Sequence, residues 1–342
     1  MEEEANSFNS KTQATLIDEF ATTKEMENLK KDLKSAPAHE QVTKWVDSLL
    51  DKGVAGLEME LEKLNNAVEK IGTVAFDANA EHNIDKEVIC QDKHRVLLKD
   101  GANNYIHANY INTPNFNKHF ICTQRPMITT TESFYKMIMQ EQAEYIVMLG
   151  SITESTEKKC PLYFPQTVSD RPMKFGHITV KCIATENMKN ENNVTGRMLE
   201  ISRTGKKQHM VMHYHWKNWP ERGFPEPTLT VFSLMCAVRN SKKPIVVHCS
   251  DGVGRSGVFV AVEYILEKLL RGESCSSGID VVREIRTQRA MAVRTVSQYI
   301  LLNRLLLRIF QEFDLVDMSQ HLLEFIDDYD TYVRKHKVII IF

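Results

Sequence analysis

The 342-residue chain lacks the long apolar run that a membrane-spanning helix needs, and its first residues are too polar and acidic for a signal peptide. It also lacks an excess of charge: 43 Lys and Arg against 45 Asp and Glu give a formal net charge of −2, so nothing indicates nucleic-acid binding. Its seven cysteines form no C-x-x-C pair, which argues against a zinc site and a disulfide framework. We expect a cytoplasmic protein without membrane span, metal or organic cofactor.

No internal repeat or low-complexity linker divides the chain, and a hydrophobic content of 42% suffices for one large core. The first residues are polar with few aromatic side chains, and the last ones have helical spacing. We therefore predict a polar N-terminal extension over residues 1–38, one domain over 39–313 and a C-terminal helical extension over 314–342.

Hydrophobic spacing predicts an α/β fold with a mixed sheet and helices packed on it. A helical stripe runs from Val42 to Val68, broken near Gly53 or Gly56. Further strands are predicted over 105–111, 119–123, 145–149, 175–184, 197–202 and 209–216, and further helices over 131–142, 228–240, 258–269, 277–289, 296–313 and 318–337.

Residues 244–257, Pro-Ile-Val-Val-His-Cys-Ser-Asp-Gly-Val-Gly-Arg-Ser-Gly, read as a strand, a tight loop and a helix start. Such a loop turns its backbone N–H groups inward and binds an anion at the helix N-terminus. A guanidinium can hold two phosphate oxygens, and a cysteine in the same positive field should have a depressed pKa and act as a thiolate nucleophile. The residues in these roles are Cys249, Ser250, Asp251, Gly252, Val253, Gly254 and Arg255.

The alternative interpretation of this stretch is a buried structural cysteine beside a helix-capping loop. It does not explain why His248, Cys249, Arg255 and Ser256 fall into one strand–loop–helix frame together with three glycines.

Other segments, in this order and spacing, resemble the catalytic domain of the large protein-tyrosine phosphatases of the non-receptor type, over roughly residues 40–313. The resemblance implies a central, highly twisted mixed sheet flanked by helices, and hydrolysis of phosphotyrosine in proteins. The segments are Tyr105–Ile111, Ile121–Pro126, Lys159–Pro165, Trp219–Glu221 and Val293–Tyr299.

The resemblance also implies roles for individual residues. Cys249 would attack phosphorus to form a cysteinyl-phosphate, and Arg255 would hold the phosphate oxygens. Glu221 would protonate the leaving phenolate and then assist the attacking water. Ser256 would ease departure of the thiolate, and His248 would support a low pKa of Cys249 from behind.

The resemblance makes Trp219 a hinge or anchor of a mobile loop and Lys159 its polar partner. Glu87 aligns with the acidic residue that holds the substrate backbone, and Gln298 with the later of two glutamines near the end of the domain.

This sequence departs from the family pattern at four positions. The general acid is Glu221 instead of Asp, and Asp85 replaces the tyrosine that stacks on the substrate ring. Arg294 replaces the glutamine that positions water, and it binds phosphate or turns away. Asp251 stands where Ala is usual, where it either raises the thiol pKa and repels phosphate or points outward.

Two functions remain open at this point. In the first, the chain is an active but slow protein-tyrosine phosphatase. In the second, it is a pseudophosphatase that binds phosphotyrosine proteins or a kinase without turnover, as the altered Asp85, Arg294 and Asp251 favour. The inactive second domains of receptor phosphatases show a similar pattern. A purely structural scaffold leaves an intact anion-binding loop unexplained.

Overall fold

The computed structural model describes residues 19–67, 71–101, 103–152, 161–220, 223–275 and 277–336. Glu221, Lys159, Val68 and the apolar residues 338–342 lie outside these ranges. Among the described helices, none is both long and apolar enough to cross a bilayer.

Most of the helices correspond to predicted segments. The helices are α1 (Glu19–Leu33), α2 (Ala36–Asn65), α3 (Val74–Asp77), α4 (Thr131–Glu141), α5 (Thr230–Val238), α6 (Gly254–Leu270), α7 (Gly278–Arg286), α8 (Val296–Glu312) and α9 (Gln320–His336), with a 3-10 turn at Ala80–His82. Helix α1, in the predicted polar extension, and the short α3 do not correspond to predicted segments.

In the part of the chain that the structure describes, eight strands form one mixed sheet in the order β1-β2-β8-β3-β7-β6-β5-β4. The central strands β2, β8, β3 and β7 are parallel, and the outer pairs are antiparallel. This confirms the predicted mixed sheet. The strands are β1 (Ala108–Ile111), β2 (Phe120–Thr123), β3 (Tyr145–Leu149), β4 (Met173–Phe175), β5 (Ile178–Met188), β6 (Glu191–Arg203), β7 (His209–Trp216) and β8 (Ile245–His248).

Strand β8 lies inside the sheet and is covered on both faces, which explains its continuous β-branched run. Ile245 and Val247 belong to the core that contains α2, α5, α6 and α8. Val246 points to the opposite core, which contains Phe134 and Ile138 of α4. With both faces buried, the end of β8 is held firmly in place, and the candidate site begins there.

The long helix α2 is kinked at Gly53, as its sequence predicts. The φ angle of Gly53 is 59°, in the left-handed region that favours glycine. Trp45, in the first half of α2, packs edge-to-face on Phe310 of α8 with ring centroids 5.4 Å apart. This contact anchors α2 to the central helices.

Helices from both predicted extensions pack on the core. Leu29 and Leu33 of α1 are buried, as are Leu322, Phe325 and Tyr329 of α9. The proposed domain boundaries near residues 38 and 314 stay predictions, because packing alone does not divide a chain into domains.

Replacing Leu33 by Ala should lower the free energy of unfolding by about 2–5 kcal/mol, because the side chain is fully buried and its loss leaves a cavity. Urea unfolding followed by tryptophan fluorescence measures the change. The exposed Lys31→Ala on the same helix is the control, with a change within about 0.5 kcal/mol. Equal stability of the two variants would show that α1 does not stabilise the core.

Candidate active site

The loop between β8 and α6, with the first turn of α6, forms a cradle of inward-facing N–H groups (residues 249–256, the anion cradle). Its turn depends on Gly252, whose φ is 71°. A Cβ atom at this position would collide with the carbonyl oxygen of Thr123 on β2. Only glycine therefore fits both the backbone angle and the close approach of β2.

Two carbonyl groups of the anion cradle face Arg289, which is fully buried. Its guanidinium donates to the carbonyl oxygens of Gly252 and Asp251, both at 3.2 Å. It also donates to Asn109 Oδ1 at 2.8 Å and contacts His107 Nδ1 at 3.2 Å. Sequence reasoning missed Arg289. A charged residue directly before the apolar stretch 290–293 was the available signal.

The side chain of Asp251 lies inside the cradle. Its Oδ1 atom accepts the N–H groups of Val253 at 3.0 Å and Gly254 at 3.3 Å. The Cys249 thiol donates to the same oxygen at 3.1 Å, while the Gly252 N–H donates to Cys249 Sγ at 3.3 Å. The carboxylate therefore occupies N–H groups that a phosphate would need. Of the two predicted alternatives for Asp251, the outward orientation is wrong.

The thiol of Cys249 does not have the depressed pKa that the sequence predicts. Burial raises its pKa above the ordinary value, and the charge of Asp251 raises it further. Arg255 and the hydroxyl and amide of Ser256 act in the opposite direction but do not compensate. Burial also acts to raise the pKa of Asp251, yet the N–H groups of the cradle, the thiol and Arg255 together lower it. In this conformation a carboxylate faces a protonated thiol.

Arg255 links the cradle to the segment that contains the predicted general acid. Its Nη1 atom donates to the carbonyl oxygen of Trp219 at 2.9 Å, and its Nη2 atom donates to Ser250 Oγ at 3.2 Å. Trp219 is itself buried and packs on Trp216 with ring centroids 4.8 Å apart. Trp219 thus anchors one end of this loop, next to the predicted phosphate-binding arginine.

The far side of the loop packs against the C-terminal helix. The ring of Phe224 meets Tyr329 and Tyr332 of α9 edge-to-face, with centroids 6.0 and 5.9 Å apart. Glu221 lies outside the described residues, between these two anchored ends.

His248 is fully buried behind the nucleophile position. Burial lowers its pKa to about 3, so the ring is neutral at physiological pH. Its Nδ1 lies 3.2 Å from the carbonyl oxygen of Cys249, and its Nε2 lies 2.6 Å from the hydroxyl of Tyr163. His248 therefore orients the backbone of Cys249 but supplies no positive charge to its thiol. Tyr163 is a second residue that sequence reasoning missed.

Arg294 lies at the rim of the cradle and contacts three carboxylates. Its Nη1 is 3.3 Å from Asp85 Oδ2 and 3.9 Å from Asp251 Oδ2, and its Nη2 is 3.2 Å from Glu87 Oε2. The structure thus brings together four predicted site residues from distant parts of the chain. Arg294 is held by acidic partners, and its ion pair with Asp251 joins it to the cradle.

Gln298 lies in the first turn of α8, beside the cradle. It forms a capping box with Thr295, and its side-chain amide lies against Gly254, where a Cβ atom would collide with it. Ser256 is fully buried in the first turn of α6, one position after Arg255. The predicted residue Lys159 lies outside the described part of the chain.

A family model described as protein-tyrosine phosphatase matches residues 79–308. Human receptor-type tyrosine-protein phosphatase zeta is 29% identical over 282 residues, which cover 76% of this chain and 12% of that protein. The human alpha protein is 32% identical over 257 residues, covering 71% of this chain and 31% of that protein. The matched region thus spans less than a third of the length of either relative.

Solved structures are similar over nearly their whole length. The catalytic domain of human protein tyrosine phosphatase non-receptor type 18 gives a TM-score of 0.68 at 27% identity, over 76% of this chain and 96% of that one. A structure of PTPN18 in complex with HER2 phosphopeptides gives the same TM-score at 26% identity, over 75% and 99% of the two chains.

Removing the carboxylate of Asp251 should lower the pKa of Cys249. Because the pKa of Cys249 is raised, its thiol is mostly protonated at neutral pH. A decrease of this pKa by one unit gives about tenfold more thiolate at neutral pH. Asp251→Ala should therefore shift the rise in Cys249 alkylation by iodoacetamide to lower pH. Mass spectrometry of the Cys249 peptide measures the rate.

The matched variant Asp251→Asn removes the charge but keeps the side chain in the cradle. It should lower the thiol pKa as Asp251→Ala does, while only Asp251→Ala frees the N–H groups for vanadate. Unchanged alkylation profiles in both variants would contradict the contact between Asp251 and the thiol.

Proposed function

Because the chain belongs to the protein-tyrosine phosphatase family, we propose that it hydrolyses phosphotyrosine esters through a cysteinyl-phosphate formed on Cys249. The observation that carries this proposal is the anion cradle, in which one cysteine sulfur, inward N–H groups at a helix start and a buried arginine converge. Such a cradle binds an anion at the position that the sulfur attacks.

The first chemical step transfers the phosphoryl group. The thiolate of Cys249 forms a bond to phosphorus, and the bond from phosphorus to the phenolic oxygen breaks. The carboxylic acid of Glu221 gives its proton to that oxygen. The N–H groups and Arg255 bind the three equatorial oxygens, where negative charge develops. For this task Arg255 turns from the Trp219 carbonyl towards the phosphate.

The second step returns the enzyme to its starting state. Water attacks phosphorus, its proton passes to Glu221, and the bond from phosphorus to sulfur breaks. The leaving thiolate is stabilised by the neighbouring Ser256 hydroxyl and by Arg255, the same groups that lower the pKa of Cys249. Two proton transfers thus balance over the cycle, and inorganic phosphate is the product.

A low kcat/KM follows from the contacts of Asp251. A phosphate enters only after this carboxylate leaves Val253 and Gly254, and the thiol must also lose its proton. Binding of phosphotyrosine without turnover requires the same displacement, so Asp251 does not favour that alternative over the enzyme. The extra methylene of Glu221 displaces the acid by about an ångström, which costs on the order of 10²-fold in rate.

The substrates we propose are phosphotyrosine-containing proteins, with a kinase as one candidate. The support is the similarity to a structure of PTPN18 in complex with phosphopeptides. We further propose that the protein acts in the cytoplasm. The six cysteines in the described part of the chain are free, and a nucleophilic thiol needs a reducing compartment.

The purified chain should hydrolyse an aryl phosphate such as p-nitrophenyl phosphate slowly, and Cys249→Ser should lower kcat by at least about 10⁴-fold because the nucleophile is lost. Release of p-nitrophenolate measures the rate. Asp251→Ala should raise kcat/KM about tenfold or more. A wild-type rate no higher than that of Cys249→Ser would overturn the enzymatic function.

Replacing Arg294 by Gln should speed hydrolysis of the cysteinyl-phosphate. An arginine side chain accepts no hydrogen bond and so cannot orient the attacking water, whereas glutamine can. Stopped-flow traces of the wild type should show a burst of phenolate followed by a slow linear phase, and Arg294→Gln should raise the linear rate by about tenfold. Arg283→Gln, which removes an exposed arginine paired with Asp280 on α7, is the control and should leave both phases unchanged. A wild-type trace without a burst, together with the same linear rate in Arg294→Gln and Arg283→Gln, would contradict the proposal that Arg294 slows hydrolysis of the cysteinyl-phosphate.

A further inference from the structure

A second cluster of polar side chains is buried near the C-terminal half of α6, away from the anion cradle. Glu263 and Glu267 are one helical turn apart, and His119 directly precedes β2. All three are at most 3% exposed. A ring nitrogen of His119 and one carboxylate oxygen from each glutamate lie within 4.8 Å of one another.

Neighbouring groups hold the two carboxylates in fixed orientations. The hydroxyl of Thr113 donates to Glu267 Oε1 at 2.9 Å, and the backbone N–H of Asn115 donates to Glu267 Oε2 at 2.7 Å. The Nε atom of Arg239 donates to Glu263 Oε1 at 2.9 Å. Such supporting hydrogen bonds are typical of carboxylates that bind a metal ion.

Two atoms of this cluster are left without a hydrogen-bond partner among the described residues: Nε2 of His119 and Oε2 of Glu263. Both are buried, and a buried polar atom without a partner costs about 1–3 kcal/mol. One cation accepts a lone pair from both the imidazole nitrogen and the carboxylate oxygen.

The charges of the cluster also leave room for a cation. Arg239, which is partly exposed, pairs with both Glu263 and Glu25, the latter at 2.7 Å, so one guanidinium faces three carboxylates when Glu267 is included. The positive charge of Lys242 also lies near His119, but this side chain is exposed to solvent. With all three carboxylates ionised, two negative charges remain, and two protons or one divalent cation would neutralise them.

We propose that His119, Glu263 and Glu267 bind one zinc ion. Imidazole and carboxylate ligands suit zinc, whereas magnesium and calcium prefer oxygen ligands alone. Tetrahedral bonds of about 2.1 Å place ligand atoms about 3.4 Å apart, so the side chains close by roughly an ångström around the ion. Water completes the coordination.

The ion would join α6 to the start of β2. Helix α6 begins at the anion cradle, and β2 contributes the Thr123 carbonyl against which Gly252 packs. The sequence predicts no metal because its three ligands follow no motif: His119 is separated from Glu263 by more than a hundred residues, and only the spacing of the two glutamates places them on one helical face.

Zinc binding is tested on the full chain carrying Cys249→Ser, which removes the active-site thiol as a competing ligand. Equilibrium dialysis against zinc chloride, with metal counted by mass spectrometry, should give one zinc per chain. Adding His119→Gln should lower the zinc content at least tenfold. Adding His209→Gln, at the first residue of β7, is the matched control and should leave one zinc. Equal zinc content in the two histidine variants overturns the proposal.

X-ray absorption of the zinc-loaded Cys249→Ser protein supplies a readout that needs no further variant. The expected spectrum has only nitrogen and oxygen neighbours at about 2.0–2.2 Å, with the outer-shell scattering of one imidazole. A sulfur neighbour overturns the site. A melting temperature that changes with pH but not with zinc also overturns the site, because Glu263 and Glu267 would then share a proton instead of binding a metal ion. Neither result depends on phosphatase activity.

Discussion

The N–H groups at the start of α6 can satisfy one anion at a time, and the rest of the site depends on which anion that is. In this conformation it is the carboxylate of Asp251, which is attached to the same loop and so needs no diffusion to arrive. A phosphate dianion brings more charge, and it can also bind Arg255. The cradle therefore binds either the Asp251 carboxylate, a weak ligand attached to the loop, or phosphate, a stronger ligand that must diffuse in. The difference in free energy between these two states sets the fraction of molecules that can bind phosphate. It also sets the thiol pKa, because the same carboxylate faces the sulfur.

The elements around the cradle hold its backbone in place, so the competition between Asp251 and phosphate involves only nearby side chains. Strand β8 is buried on both faces, Gly252 packs against the Thr123 carbonyl, and the buried guanidinium of Arg289 fixes two carbonyl groups of the loop. The backbone of the cradle is therefore held by groups that do not take part in anion binding. A change of occupant requires movement of side chains only, chiefly Asp251 and Arg255. Since Arg255 also holds the Trp219 carbonyl, arrival of phosphate is coupled to the loop that contains Glu221.

Much of this architecture was predictable from local pattern. The β-branched run before Cys249 and the helical spacing after it placed the cradle between a strand and a helix, because hydrophobic periodicity reports burial directly. The kink of α2 followed from Gly53 for the same kind of local reason. The roles of Arg289 and Tyr163 were not predictable in this way, since the groups they contact lie far away in the chain and a local pattern does not show those contacts. The orientation of Asp251 also escaped prediction. A sequence shows that a carboxylate stands beside a nucleophile, but the choice between solvent and the cradle depends on N–H groups that only the folded loop assembles.

The altered residues around the cradle make physical sense as a set. Asp85, Glu87 and Asp251 would place three negative charges near an anion-binding site, and Arg294 contacts all three. With glutamine at position 294, these carboxylates would repel one another and any phosphate more strongly. With arginine there and no acidic residues, a second free cation would stand at the rim and compete with Arg255 for the same phosphate. Each exposed pair contributes at most about 1 kcal/mol. Their joint effect lies in the field at the rim, where Arg294 offsets one of the three negative charges, so that the N–H groups and Arg255 decide where an incoming phosphate binds.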